Sequence, residues 1–79
     1  MVELTEFLVK SIVKNKDLVS VKQFENSDET VTIEVLVSNE DIGAVIGKRG
    51  VIANSIRTIV QASSYMNNEP KVKINIDSF

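Results

Sequence analysis

Two glycines enclose two cations in Gly47-Lys48-Arg49-Gly50, directly after the apolar run of "IGAVI" and before "VIANSIRTIV". Glycine reaches backbone angles closed to other residues and leaves no Cβ in the way, so a link of this kind turns sharply and lets its backbone approach a ligand. A helix that starts right after it brings unpaired N–H groups and a positive dipole end, which suit phosphate oxygens. Lys48 and Arg49 add mobile positive charge beside them. The chemistry on offer is capture of a phosphodiester backbone. The segment is not a P-loop, because it lacks G-x-x-x-x-G-K-[ST].

Catalysis finds little support. The 79 residues include no cysteine and no histidine, which removes thiol nucleophiles, thiolate metal sites and the commonest general base together. Neighbouring Glu40 and Asp41 point about 100° apart on a helix and have no third ligand in view. They read as residues at a helix start rather than a metal or catalytic pair. We expect no enzyme, no metal, no cofactor and no small-molecule substrate.

The chain has room for one domain, residues 1–79, and at this size only about 60% of the unfolded surface is buried on folding. Apolar residues make up 43% and charged ones 25%, as in an ordinary globular protein. No apolar run nears the roughly 20 residues that span a bilayer, and glutamates stand where a signal peptide carries lysines. The expectation is a cytoplasmic protein with no membrane contact. The net charge of −2 argues mildly against nucleic acid, but it is unevenly spread. Residues 1–40 hold four lysines against eight carboxylates, whereas residues 41–79 hold five cations against three carboxylates. Positive charge gathers on the half that carries the glycine motif, which allows a local anion contact.

The elements that must position the motif follow from periodicity. Leu4, Leu8 and Ile12, with Phe7 beside them, predict a helix over 2–15 with its acids early and its lysines late. "LVSVKQF" (18–24) and "TVTIEVLVS" (30–38) alternate as strands, and polar "ENSDE" predicts a hairpin with a longer loop. Ser38 or Asn39 is placed to cap a short helix over 40–46. Ile52, Ile56, Ile59, Val60 and Ser63 mark one face of a helix from Val51 to about Met66, ended by "NNEP". "KVKINID" alternates again. With the polar strand residues facing water, three helices cover one face of a three-stranded sheet, an α+β architecture.

An αββααβ order with "VIGKRG" between its second and third helices resembles a type II KH domain over almost the whole chain. "DIGAVIGKRG" followed by "VIANSIRTIVQA" is similar, more narrowly, to the small bacterial KhpA-type RNA-binding proteins. The resemblance implies an RNA chaperone that clamps single-stranded RNA at the G-x-x-G loop. It also implies a homodimer or a heterodimer with a larger multidomain KH protein of KhpB type, in control of cell-wall growth and cell shape.

KH domains hold about four nucleotides by the backbone, with the bases over an apolar groove. On that pattern Gly47, Lys48, Arg49 and Gly50 form the clamp. Ile42, Gly43, Ile46, Ile52, Ala53 and part of the 31–37 strand supply the groove. Arg57 is left with two roles, reach to phosphate or solvation of its helix. Four aromatics in the chain make a stacking platform a poor alternative. Leu36 and Phe24 on the open sheet face, or Ile59, Tyr65 and Met66 on the last helix, are the two candidate partner surfaces. Two further readings stay open: a protein-interaction subunit with little RNA affinity, and a single-stranded DNA binder.

Overall fold

The computed structural model describes residues 1–79. The chain forms α1 (Val2–Lys10), β1 (Ser20–Glu25), β2 (Val31–Val37), α2 (Ile42–Ile46), α3 (Val51–Met66) and β3 (Val72–Ser78). Short 3-10 turns stand at Lys16–Leu18 and Lys48–Gly50. The predicted αββααβ order holds. The sheet runs β1-β2-β3, with β1 antiparallel and β3 parallel to the central β2.

β2 shows why one sheet face is covered. Val31, Ile33, Val35 and Val37 are all buried, while the residues between them are half-exposed. Val72 and Ile74 of β3 join them, as do Val9 and Val13 from α1 and its exit, Val45 of α2, and Ile56 and Val60 of α3. All three helices therefore contribute to one core, which is removed from water by their shared apolar side. On the other face Phe24 pairs with Thr32, and Leu36 lies between Ser20 and Asp77. The row Lys22–Glu34–Asn75 separates Phe24 from Leu36, so these two do not form one apolar patch.

Three boundaries differ from expectation. α1 stops at Lys10 instead of residue 15, because the amides of Lys14 and Asn15 leave the helix to bond the Asp41 carboxylate, each at 2.9 Å. The strand predicted from residue 18 starts at Ser20, after the 3-10 turn that leaves Leu18 exposed. The short helix begins at Ile42, since Asp41 and Ile42 both donate backbone N–H groups to the Ser38 carbonyl in the turn before it.

The buried faces of α1 and α3 are turned from the predicted ones, although Leu4 and Leu8 still pack against the core and Ile56 and Val60 are buried as expected. Thr5 and Val9, not Phe7 and Ile12, point inward from α1 and its exit. Thr5 tolerates this because its hydroxyl donates to the Met1 carbonyl at 2.8 Å. In α3 the inward set is Ala53, Ile56, Val60 and Ser64, and Ile59 is exposed. Asn68 takes a positive φ after α3, and Glu69 N–H bonds the Ser64 carbonyl while Asn68 N–H bonds that of Tyr65. This is the Schellman ending, with asparagine in the place glycine usually holds.

Asp41 is only 2% exposed and accepts four hydrogen bonds: from Lys14 N–H, Asn15 N–H, the Asn15 amide and the Ser38 hydroxyl. The two backbone donors, helped by the side chains and opposed by burial, hold its carboxyl down to about 2 from an ordinary 3.8. A depressed folded-state value stabilises the fold above the unfolded value, and that contribution is lost as pH falls through the folded one. Thermal melts of wild type should therefore lose stability between about pH 4 and pH 2. Asp41→Asn turns an amide N–H toward donors; its melting temperature should be lower at neutral pH by roughly 5 °C or more and should fall less over that acid range.

Candidate nucleic-acid interface

The loop is built on three unusual backbone conformations within four residues. Gly47 has φ 74° and ψ 173°, Arg49 has φ 56°, and Gly50 has φ 75°. Gly47 ends α2 by donating to the Gly43 carbonyl at 2.9 Å, and Gly50 closes the turn on the Gly47 carbonyl at 3.2 Å. The two glycines are not equivalent. A Cβ on Gly47 would collide with Ile52, meeting its Cβ at 2.9 Å and its backbone N at 3.0 Å, whereas one on Gly50 would meet only Asn54 Nδ2 at 3.9 Å. Gly47 is required by space and by φ; Gly50 is required by φ alone.

Lys48 and Arg49 are exposed at the tip. The molecule's one ion pair joins Lys10 to Glu6 at 3.0 Å, so neither loop cation is neutralised by a carboxylate. No side chain caps the start of α3, which leaves that helix end open to an external acceptor. Arg49 is not glycine yet sits in the left-handed region, a conformation that costs about 1 kcal/mol. Its charge is kept where the backbone would favour glycine.

Around the loop the predicted groove residues fall on two sides. Ile42 and Ile46 are half-buried on α2, and Gly43 is exposed with open space where a Cβ would stand. Ile52 is 37% exposed, with its inner carbons against Gly47. Ala53 is a correction: it is 1% exposed and faces the core, so it supports the groove from beneath and does not line it. The 31–37 strand is a second correction, because β2 is central and its inward side chains are 8% exposed or less. The strand that reaches the surface beside α3 is β3, at the sheet edge.

Arg57 is anchored, which neither sequence-based role described. Its Nε donates to the Ile74 carbonyl at 3.2 Å and its Nη1 to Asn54 Oδ1 at 3.0 Å. Gln61 Nε2 donates to the Val72 carbonyl at 3.1 Å. Asn54, Arg57 and Gln61 thus form a polar stripe from the loop along β3. Their spacing of three and four residues carries that signal in the sequence. No cluster of acidic side chains in the molecule is arranged to hold a metal ion, and no helix is long and apolar enough to cross a membrane.

Comparison with known proteins shows the family. The model of the KhpA/KhpB KH-domain family matches residues 2–76. A Clostridium perfringens protein named RNA-binding protein KhpA is 42% identical over 76 residues, covering 96% of this chain and 99% of its own. Proteins of the same name from Borreliella burgdorferi and Listeria monocytogenes are each 40% identical, covering 95% and 96% of this chain and 89% and 97% of theirs. No solved structure matches the chain.

Denaturant melts will rank the loop substitutions. Gly47→Ala should destabilise by about 2 kcal/mol or more, Gly50→Ala by about 1 kcal/mol, and Arg49→Gly should stabilise by up to about 1 kcal/mol. Equal losses for the two glycine variants would contradict the distinction drawn between them.

Proposed function

The chain belongs to the KhpA/KhpB KH-domain family, and from that premise we propose that it binds single-stranded RNA in the cytoplasm by clamping phosphates at Gly47–Gly50. It is not an enzyme: its family is defined by a KH domain and its relatives are named as RNA-binding proteins. The observation that carries the clamp is the pair of unpaired cations, Lys48 and Arg49, held by two glycines at the uncapped start of α3. Ile42, Gly43, Ile46 and Ile52 flank the path of the bases.

About three neutralised phosphates give a salt slope near −2, so fourfold more salt weakens binding by about 20-fold. One such site binds weakly. A second linked site raises avidity by about 10² or more, which favours a homodimer or a heterodimer with a larger KhpB-type KH protein. The exposed side of α3 suits such a contact. Ile52, Ser55, Ile59, Ala62 and Met66 recur at three- and four-residue steps, all exposed, with Tyr65 beside them at 83% exposure and no charge among them. The same stripe supports the second reading, a protein-interaction subunit with little RNA affinity. For the RNA-binding form the role we assign is RNA chaperoning in post-transcriptional control linked to cell-wall growth and cell shape.

Fluorescence anisotropy with labelled single-stranded RNA pools tests the clamp. Wild type should bind with a salt slope near −2, and Lys48→Asp/Arg49→Asp should lose binding while circular dichroism shows the same fold. Equal binding by both proteins would rule out the loop as the clamp, and no binding by wild type would favour the interaction subunit. For the α3 surface, sedimentation should show a dimer that Ile59→Lys converts to monomer; a wild-type monomer that also fails to join a KhpB-type protein contradicts that assignment.

A further inference from the structure

The outer edge of β3 has a defined polarity. The Lys71 carbonyl accepts from Val31 N–H at 2.8 Å and Phe79 N–H donates to the Val37 carbonyl at 3.0 Å. Odd-numbered residues from 71 to 79 therefore turn their peptide groups toward β2, and Val72, Ile74 and Ile76 turn theirs outward. An outward row of this kind ordinarily offers both N–H donors and carbonyl acceptors to whatever lies alongside. Here α3 changes the offer. Gln61 covers the Val72 carbonyl and Arg57 covers that of Ile74, and Val72 and Ile74 are only 3% and 4% exposed. At these positions a ligand meets an amide and a guanidinium instead of bare carbonyl oxygens.

Arg57 remains half-exposed. A guanidinium has five N–H donors and no acceptor. One is spent on Ile74 and one on Asn54, which lies against Gly50, so roughly three remain free. The surface beside the loop thus presents donors at this position.

Resting on the RNA-clamp reading, we propose that Arg57, fixed between Asn54 and the Ile74 carbonyl, selects bases with a keto oxygen at pyrimidine position 4 or purine position 6, uracil or guanine, over those with an amine at that position, cytosine or adenine. The O4 of uracil and the O6 and N7 of guanine accept from a guanidinium. The amines of cytosine and adenine need an acceptor, and beside Arg57 the acceptor on β3, the Ile74 carbonyl, already takes a hydrogen bond. A guanidinium whose orientation is set by two protein acceptors reads shape and hydrogen bonding; a mobile one supplies charge alone.

Uracil and cytosine share a ring and differ on one edge, oxygen against amine at position 4 and N–H against bare nitrogen at position 3, so labelled U8 and C8 RNAs compare the reading of that edge. Loss of charge weakens both alike; only base reading changes their ratio. Arg57→Met keeps the aliphatic stem and removes every donor, and should lower the U8-to-C8 affinity ratio at least about fivefold. Asn54→Ala frees one anchor and should lower it about twofold, which decides the matter if the methionine variant does not fold. A ratio unchanged in both variants overturns the proposal while leaving the clamp intact. Binding of neither RNA by wild type, or binding that survives Lys48→Asp/Arg49→Asp, removes the clamp and this proposal with it.

Discussion

A buried carboxylate fixes where the glycine loop emerges. Asp41 has no cationic partner, so its charge is held by hydrogen bonds alone, from the exit of α1 and from Ser38 just beyond β2. A charge out of water is tolerated only when it is so satisfied. The consequence is geometric: the end of β2, the end of α1 and the head of α2 are joined at one point. α2 has only five residues, so the position of the glycine loop is set within little more than a turn of that anchor. A short helix held at its head by a buried group and closed at its end by Gly47 leaves the loop little freedom to wander.

α3 carries the rest of the design because its surface serves three neighbours. Ala53, Ile56, Val60 and Ser64 face the core, Asn54, Arg57 and Gln61 face the edge of β3, and the uncharged residues from Ile52 to Met66 face outward. A helix with 3.6 residues per turn can present these as separate lanes. The polar lane has a structural effect independent of any ligand, since it satisfies two carbonyls on an edge strand that would otherwise be open to pairing. A stretch of sixteen residues thereby joins packing and edge protection to the proposed recognition surface.

Element order, the five-residue loop between β1 and β2, the bounds of α3 and the glycine motif are all legible in the sequence, because each is written in local periodicity or in glycine, asparagine and proline. The rotation of α1 and α3 is not. Hydropathy favours Phe7 and Ile59 as core, yet Thr5, Ala53 and Ser64 are inside because they are small and, where polar, bonded to nearby backbone carbonyls. The same limit explains Ala53: its place after the motif suggests a groove, and only the helix phase shows that it points inward. Asp41 looks like a helix-start residue, since the amides of Lys14 and Asn15 that it binds lie more than 25 positions away. Which strand flanks the loop depends on β3 pairing in parallel with β2, a choice that alternation within either strand does not encode.

The central claim is that RNA lies across the loop at the start of α3. Its most direct test is a titration of isotopically labelled protein with a short single-stranded RNA, followed by backbone amide and arginine Nε resonances. The largest shifts should fall on Gly47 to Ile52 and on Arg57 Nε. Shifts confined to the open sheet face, around Lys22, Glu34 and Asn75, with the loop unmoved, would contradict it.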